Sequence, residues 1–314
     1  MFSIGFVSTT PHDRAVQRVK GADSIPVTSL LIRVLTKAEL FLVFSYPTTM
    51  IVNSETSLPY PPFVDIEGVI NMRSVGGYAT STGGVAKPNI IYRSGDISSI
   101  TERGRGQFSA LGVHVVFDFR ADSEIKDYDS ATPAMEGVKI IRAPAGIQNA
   151  FDPASIAIRL KKWQIDELQA FLNTYEEILD TATEAFRTVF IHLRDHPDQP
   201  CLIHCTAGKD RTGMFVTLLL MVLGVEDRYI IDEYALTTVG LAPSMPHLLH
   251  KLQKMPVFRD NWEGLLNMGS SKPETMVATL RLIRAKYDGA EGYLKTQLNL
   301  DDEDIEKIRG NYLV

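Results

Sequence analysis

The sequence predicts an α/β domain in which a central, mostly parallel sheet is flanked by helices. From residue 59 onwards, short β-branched runs alternate with longer segments of helical spacing, and the last third of the chain contains helical segments only. The 314 residues are 45% hydrophobic and 22% charged, which is typical of a globular protein with a sizeable core.

Four strands are predicted from short runs rich in β-branched residues. They are Asn89–Arg93, His114–Arg120, Val138–Arg142 and Pro200–Cys205. A helix over Thr101–Leu111, capped by Thr101, lies between the first two strands.

The remaining helices are predicted from apolar spacing. Residues 162–196 form a Pro-free segment that predicts either one long amphipathic helix or two helices joined by a kink. Thr212–Val225 is apolar on every side, which indicates a buried helix. Further helices are predicted over Asp227–Thr238, Pro246–Gln253, Pro273–Tyr287 and Asp301–Asn311, the last with Asp301 as its N-cap.

Residues 1–58 are predicted to be an N-terminal extension, partly disordered or loosely packed, before a domain over residues 59–314. The extension has no clear periodicity before residue 27, and its uncharged run from residue 40 to 54 is interrupted by Pro47. This run is shorter than the roughly 20 apolar residues that span a bilayer, so no stable membrane insertion is expected.

Charge and cysteine content restrict the environment of the protein. The 32 Lys and Arg residues against 38 Asp and Glu give a net charge of −6, which argues against nucleic acid as a partner. The two cysteines, Cys201 and Cys205, are four residues apart in a predicted strand. Such a stretch spans about 13 Å, too far for a disulfide, and a reducing, cytoplasmic compartment is therefore expected.

The segment Cys-Leu-Ile-His-Cys-Thr-Ala-Gly-Lys-Asp-Arg-Thr-Gly at 201–213 places a short loop between an apolar strand and an apolar helix. Backbone N–H groups of such a loop converge on one point, and the helix N-terminus adds positive potential, so the loop is predicted to bind a phosphate. The predicted phosphate-binding residues are Thr206, Ala207, Gly208, Lys209, Asp210 and Arg211.

The two ends of this loop indicate the reaction. The Cys205 thiol lies in a ring of N–H donors beside a guanidinium, which favours the thiolate and makes it a nucleophile. Arg211 follows after five intervening residues and offers a planar fork for two phosphoryl oxygens.

The loop closely resembles the signature loop of the cysteine-dependent phosphatases. Its full form, HCTAGKDRTG, is similar to that of the atypical tyrosine phosphatases typified by mycobacterial protein tyrosine phosphatase B, a tyrosine/serine phosphatase family. The similarity covers roughly residues 60–314 in the same order. Its other segments are Asn71–Tyr78, Tyr92–Gly95, Val116–Arg120 and Glu291–Leu294.

The resemblance implies a cysteine-dependent phosphatase fold with a helical lid and a double displacement through phosphocysteine, without a metal or other cofactor. It implies that Thr212 helps the thiolate leave and that Asp210 is the general acid. No Trp-Pro-Asp tripeptide is present. An alternative is that Asp210 is a structural acceptor that positions Arg211.

Supporting roles are predicted for three further residues. Asp118 and Arg120 end a predicted strand, where Asp118 either orients Arg211 or forms a structural salt bridge. His204 is expected to bond the loop backbone rather than to act as a base. Residues 160–196 are expected to form a lid over the loop, by analogy with the family.

The predicted function is therefore a protein tyrosine phosphatase, with phosphotyrosine proteins or phosphoinositides as substrates. Lys209 favours the more anionic substrates. The family's usual Arg-Asp-Leu-Gly-Gly is replaced here by a segment with Ser74, and Phe119 replaces a leucine, which affects the prediction of substrate more than that of activity. Three alternatives are a phosphate-binding pseudophosphatase, a redox sensor that uses Cys201, and a rhodanese-like sulfur carrier.

Overall fold

Five strands form one mixed sheet at the centre of the computed structural model, which describes residues 62–146 and 153–314. The strands are β1 (Arg73–Ser74), β2 (Ile91–Ser94), β3 (Val115–Asp118), β4 (Lys139–Arg142) and β5 (Cys201–His204). Their order is β1-β2-β5-β3-β4, and β1 alone runs antiparallel to its neighbour. The prediction of a mostly parallel sheet is confirmed.

The position of β5 explains where the chemistry lies. β5 pairs in parallel with β2 on one side and β3 on the other, so that Ser94, His204 and Asp118 share one register at the carboxyl edge. Ligands of α/β sheets bind at this edge. The loop that follows His204 therefore leaves the sheet between two flanking strands.

Thirteen α-helices surround the sheet within the described residues. In chain order from α1 to α13 they are Glu102–Ser109, Asp122–Asp127, Pro153–Ile165, Glu167–Thr181, Thr183–Asp195, Asp210–Val222, Asp227–Leu241, Met245–Gln253, Pro256–Arg259, Trp262–Met268, Pro273–Tyr287, Gly289–Gln297 and Asp302–Tyr312.

Two predicted helix caps are confirmed. The Thr101 side chain accepts a hydrogen bond from the Gly104 N–H at 3.1 Å, and the Asp301 side chain accepts one from the Asp304 N–H at 3.0 Å. These short side chains satisfy N–H groups that have no partner inside their own helices.

The segment 162–196 contains three helical pieces rather than one or two. α4 begins after Asp166, whose carboxylate caps the Gln169 N–H at 3.0 Å, and α5 begins after Ala182. The lid role of residues 160–196, which include α4 and α5, stays a prediction. Both are core helices, since Phe171, Tyr175 and Phe186 are fully buried.

The helix that follows the site loop is enclosed on all sides, as predicted. On α6, the Phe215 ring packs 4.8 Å from that of Phe190 and 5.6 Å from that of Phe186, measured between ring centroids. A separate, smaller cluster joins α3, α9 and α10 through Leu160, Phe258 and Leu265. The loop between β5 and α6 is anchored at one end by a central strand and at the other by a buried helix.

The predicted extension, residues 1–58, lies outside the described residues, and its proposed boundary stays a prediction. In the part of the chain that the structure describes, no helix combines the length and apolar character needed to cross a membrane.

Candidate active site

The loop of residues 205–211 closes tightly against strand β2. Gly208 has φ +65°, and a Cβ atom at this position would lie 2.2 Å from the Ser94 carbonyl oxygen. Only glycine therefore fits this close approach without moving the backbone. Helix α6 begins at Asp210, so the loop ends on the N-terminal N–H groups of a buried helix.

Arg211 is bound by the carboxylate of Glu124, a residue that sequence analysis did not identify. Its Nη1 and Nη2 donate to the two carboxylate oxygens of Glu124 at 2.8 and 2.9 Å. Nη1 also donates to the Phe119 carbonyl at 3.2 Å, and Nη2 to the Thr206 hydroxyl at 3.1 Å. Thr206 in turn bonds Glu124. This fork-to-fork geometry fixes the plane of the guanidinium.

Arg211 and Glu124 each stabilise the charged form of the other. Burial alone would lower the pKa of Arg211, but the Glu124 hydrogen bonds and its electrostatic neighbours raise it above its ordinary value. Burial alone would raise the pKa of Glu124, yet the bonds from Arg211 hold it below its usual range. Arg211 is thus a permanent cation beside Cys205.

Asp210 lies in a polar network with helices α4 and α7. Its Oδ1 accepts a hydrogen bond from Lys209 Nζ at 2.6 Å and another from the Tyr175 hydroxyl at 3.1 Å. The Tyr175 and Tyr234 hydroxyl oxygens are 2.6 Å apart, and because Tyr175 donates to Asp210, Tyr234 donates to Tyr175. Burial raises the pKa of both tyrosines, which keeps both hydroxyls protonated as donors.

Lys209 is turned into the protein rather than towards the mouth of the loop. Only 4% of the residue is exposed, and its ammonium group lies 4.5 Å from the centroid of the Phe171 ring. This cation–π contact and the Asp210 ion pair compensate for the buried charge. Asp210, by contrast, is half-buried, with 34% of its side chain exposed.

Asp118 and Arg120 belong to a buried ion-pair cluster. Asp118 accepts from Arg120 Nε at 3.0 Å and is 2.5 Å from Arg142 Nη1. Burial opposes ionisation of Asp118, but the Arg120 hydrogen bonds lower its pKa well below the usual range. Arg120 also reaches Asp96 at 2.7 Å. Asp118 therefore forms salt bridges at the strand ends. The carboxylate that binds Arg211 is that of Glu124.

His204 is fully buried beneath the loop. Its Nδ1 lies 3.3 Å from the Cys205 carbonyl oxygen, and its Nε2 lies 3.7 Å from Asp118 Oδ1. Burial lowers the pKa of His204 despite the nearby Asp118 carboxylate, so the ring is neutral at pH 7. These contacts agree with a backbone-bonding residue.

The two cysteines and Thr212 are buried. Both cysteines are free thiols, and burial raises the pKa of Cys201 to about 12, which makes this thiol unreactive. The Thr212 hydroxyl is buried without a hydrogen-bond partner among the described residues. Thr212 belongs to the first turn of α6, close in sequence to the loop.

The structure adds residues that sequence reasoning missed. Glu124, Tyr175 and Glu233 lack a local motif, and each meets its partner through the fold. Glu124 and Arg211 are 87 positions apart, and Glu233 and Arg93 are 140 positions apart. The one available signal was the helical position of Glu233, which places it on the same buried face as Ile230 and Tyr234.

A loop with a buried cysteine at one end and a fixed arginine at the other is the arrangement found in cysteine-based phosphatases. A model of the tyrosine phosphatase family matches residues 64–314, and the chain belongs to this family. It is accordingly a cysteine-based protein tyrosine phosphatase.

Relatives of the chain are distant. A Cupriavidus necator protein whose name places it among the tyrosine-protein phosphatases is 27% identical over 246 residues, covering 78% of this chain and 86% of that protein. Triple specificity protein phosphatase PtpB of Mycobacterium tuberculosis is 23% identical over 287 residues, covering 78% of this chain and 97% of that protein. The structure of P. aeruginosa TpbA in complex with pTyr aligns with a TM-score of 0.25 and 16% identity, covering 62% of this chain and 88% of that chain.

Proposed function

We propose that the protein hydrolyses phosphotyrosine through a phosphocysteine intermediate, with Cys205 as the nucleophile and Asp210 as the general acid. The observation that carries the proposal is the bidentate Arg211–Glu124 pair at 2.8 and 2.9 Å beside the Cys205 loop. A guanidinium fixed in this way has its plane set before substrate binds. Its Nε–H, the donor that these contacts leave, and the Nη2 N–H now bonded to the Thr206 hydroxyl can then be offered to a phosphoryl group.

In the first step, the Cys205 sulfur attacks phosphorus and the bond from phosphorus to the tyrosyl oxygen breaks. Asp210 gives its proton to that leaving oxygen. The loop N–H groups and Arg211 stabilise the charge on the three equatorial oxygens. Tyr175 and Lys209 donate to the Asp210 carboxyl and fix its position, and its exposed part can reach the leaving oxygen.

In the second step, water attacks the phosphocysteine, Asp210 accepts a proton from this water, and the sulfur leaves as the thiolate. Inorganic phosphate is released. We assign Thr212 to this step, because its buried hydroxyl has no partner among the described residues and can donate to the departing sulfur.

The substrate range is proposed to include phosphoinositides, and the location to be cytoplasmic. The mycobacterial relative is named a triple specificity phosphatase, which supports a range wider than phosphotyrosine. Lys209 already contacts Asp210 and Phe171, so a more anionic substrate must compete with these residues for its charge.

The proposed location rests on the cysteines. The free thiols of Cys201 and Cys205 agree with a reducing compartment.

The test is phosphate release from a phosphotyrosine peptide and from a phosphoinositide panel, with a chelator present. Cys205→Ser is expected to abolish turnover, because a hydroxyl is not ionised at neutral pH. Asp210→Asn is expected to lower kcat by about 100-fold or more, as the loss of a general acid does. Cys201→Ala is the matched control, since it removes a buried thiol from the strand that leads into the loop.

Two results would contradict the proposal. Turnover by Cys205→Ser equal to that of the wild type would exclude this nucleophile. No turnover by the wild type on any substrate, with tungstate still bound, would instead identify a phosphate-binding pseudophosphatase. Activity on the peptide alone would reject the phosphoinositide part and leave the tyrosine phosphatase assignment intact.

A further inference from the structure

The outer side of the phosphate-binding loop is held by two side chains from the β1–β2 region. Asn71 Nδ2 donates to the carbonyl oxygens of Ala207 and Gly208 at 3.0 and 3.3 Å. Arg93 Nη2 donates to the Gly208 carbonyl at 2.5 Å and lies 3.5 Å from that of Lys209. Consecutive carbonyls of the loop thus face away from the site.

These contacts determine where the loop N–H groups point. In a planar trans peptide unit, the C=O of one residue and the N–H of the next are antiparallel. Fixing the carbonyls of residues 207, 208 and 209 on one side turns the N–H groups of residues 208, 209 and 210 to the other side. Those N–H groups are donors for the bound anion.

Glu233 of α7 links the two side chains that donate to the loop, Arg93 directly and Asn71 through Arg73. Its Oε1 accepts from Arg73 Nε at 2.8 Å and its Oε2 accepts from Arg93 Nη1 at 2.6 Å. Arg73 also donates to the side-chain oxygen of Asn71, which leaves the Asn71 amide N–H groups to face the loop. One carboxylate therefore orients both side chains that hold the loop carbonyls.

The cluster is fully enclosed and carries a net positive charge. Arg73 and Arg93 are fully buried, and Glu233 is 2% exposed. Burial and the neighbouring Arg93 lower the pKa of Arg73 to about 10, and Glu233 opposes that shift. Burial would raise the pKa of Glu233, but the two arginines hold it low, so the carboxylate stays ionised.

We propose that Asn71, Arg93 and Glu233 are positioning residues that keep the loop N–H groups directed at the phosphoryl oxygens. This inference rests on the proposed function, in which the loop N–H groups must already point at the phosphoryl group when substrate binds. These residues act on the transition state through the loop and touch no substrate.

Asn71→Asp gives the sharpest test. The two side chains have the same shape, aspartate tolerates the positive φ of 56° at this position, and the Arg73 contact is retained. Only the donors to Ala207 and Gly208 are lost, and a carboxylate then faces their carbonyl oxygens. We expect kcat to fall by about 100-fold, and tungstate affinity measured by calorimetry to fall with it.

A pair of substitutions at Glu233 tests the link to the arginines. Glu233→Gln removes the charge, whereas Glu233→Asp keeps it, so the aspartate variant is expected to retain more kcat and tighter tungstate binding. Tyr293→Phe is the control. It deletes a buried hydrogen bond of 2.6 Å to the Leu179 carbonyl and is expected to lower the unfolding temperature without changing kcat.

The outcomes separate this inference from the proposed function. An Asn71→Asp variant with kcat and tungstate affinity within about threefold of the wild type would overturn the positioning role, even if Glu233→Gln fails to fold. If the wild type binds tungstate but hydrolyses no phosphotyrosine, the proposed function fails, and the tungstate affinity of Asn71→Asp still decides the inference.

Discussion

Glu124 is the residue on which the geometry of Arg211 depends. A lone arginine at the end of a loop samples several rotamers, and ordering it costs free energy each time substrate binds. Two hydrogen bonds that Arg211 donates to one buried carboxylate remove that cost in advance. The same carboxylate bonds Thr206, so one side chain of α2 organises both ends of the loop.

Glu124→Gln is expected to lower kcat by about 10- to 100-fold, because the amide retains only one acceptor and no charge to orient the guanidinium. Steady-state kinetics on a phosphotyrosine peptide measures the effect. The exposed Glu136→Gln controls for the loss of one negative charge from the chain. Equal kcat values for the two variants would show that Arg211 needs no such support.

At the scale of elements, the unit of strand β5, site loop and helix α6 depends on one backbone position. Gly208 combines a left-handed φ of +65° with a Cβ position 2.2 Å from the Ser94 carbonyl oxygen. The loop can close against β2 only if this Cβ is absent. The segment 201–213 predicted this unit correctly, because its strand, its glycine and its apolar helix are all local signals.

Gly208→Ala is expected to abolish measurable turnover, since the alanine must displace the backbone of β2 or open the loop. Gly106→Ala in α1 is the matched control. Gly106 has open space around its Cβ position and is expected to gain about 0.5–1 kcal/mol of stability with unchanged kcat. Wild-type kcat in Gly208→Ala would disprove the tight closure of the loop.

Other elements were less accessible to sequence reasoning. β1 has two residues, too few for a periodic pattern, and it exists because it pairs with β2. The breaks at Asp166 and Ala182 divide a segment whose apolar spacing continues through them. Local spacing predicts that a helix forms, whereas packing against neighbouring helices determines where it ends.

At the scale of the whole molecule, long-range pairs complete a site that local motifs only outline. Cys205, Asp210 and Arg211 came from one continuous motif, whereas Glu124 and Glu233 come from α2 and α7. No pattern within the sequence connects residues 87 or 140 positions apart. The loop was predictable for this reason, but the buried charges that contact it were not.

Buried histidines make the stability of the protein depend on pH. Burial, with His196 and Lys139 nearby, lowers the pKa of His192 from 6.5 to about 4, while Asp195 partly opposes the shift. Between these values the unfolded chain binds a proton that the folded protein does not. The free energy of unfolding therefore falls as pH decreases from 6.5 to 4, with His192 contributing on the order of 2 kcal/mol.

Urea unfolding at pH 7 and pH 5 measures this dependence. His192→Gln is expected to lose less stability between the two pH values than the wild type, whatever its stability at pH 7. His114→Gln replaces an exposed histidine and is the control. An unchanged pH dependence in His192→Gln would contradict the assignment. Buried His204, whose pKa is also lowered, supplies a remaining part of the slope.

Formation of phosphocysteine at Cys205 is the central claim, and intact-mass spectrometry of acid-quenched enzyme tests it most directly. The protein is mixed with a phosphotyrosine peptide and quenched within the first turnover. We predict that the wild type gains the mass of one phosphoryl group, mapped to Cys205, and that Cys205→Ser gains none. Turnover without any adduct on the wild type, or an adduct that persists in Cys205→Ser, would contradict the mechanism.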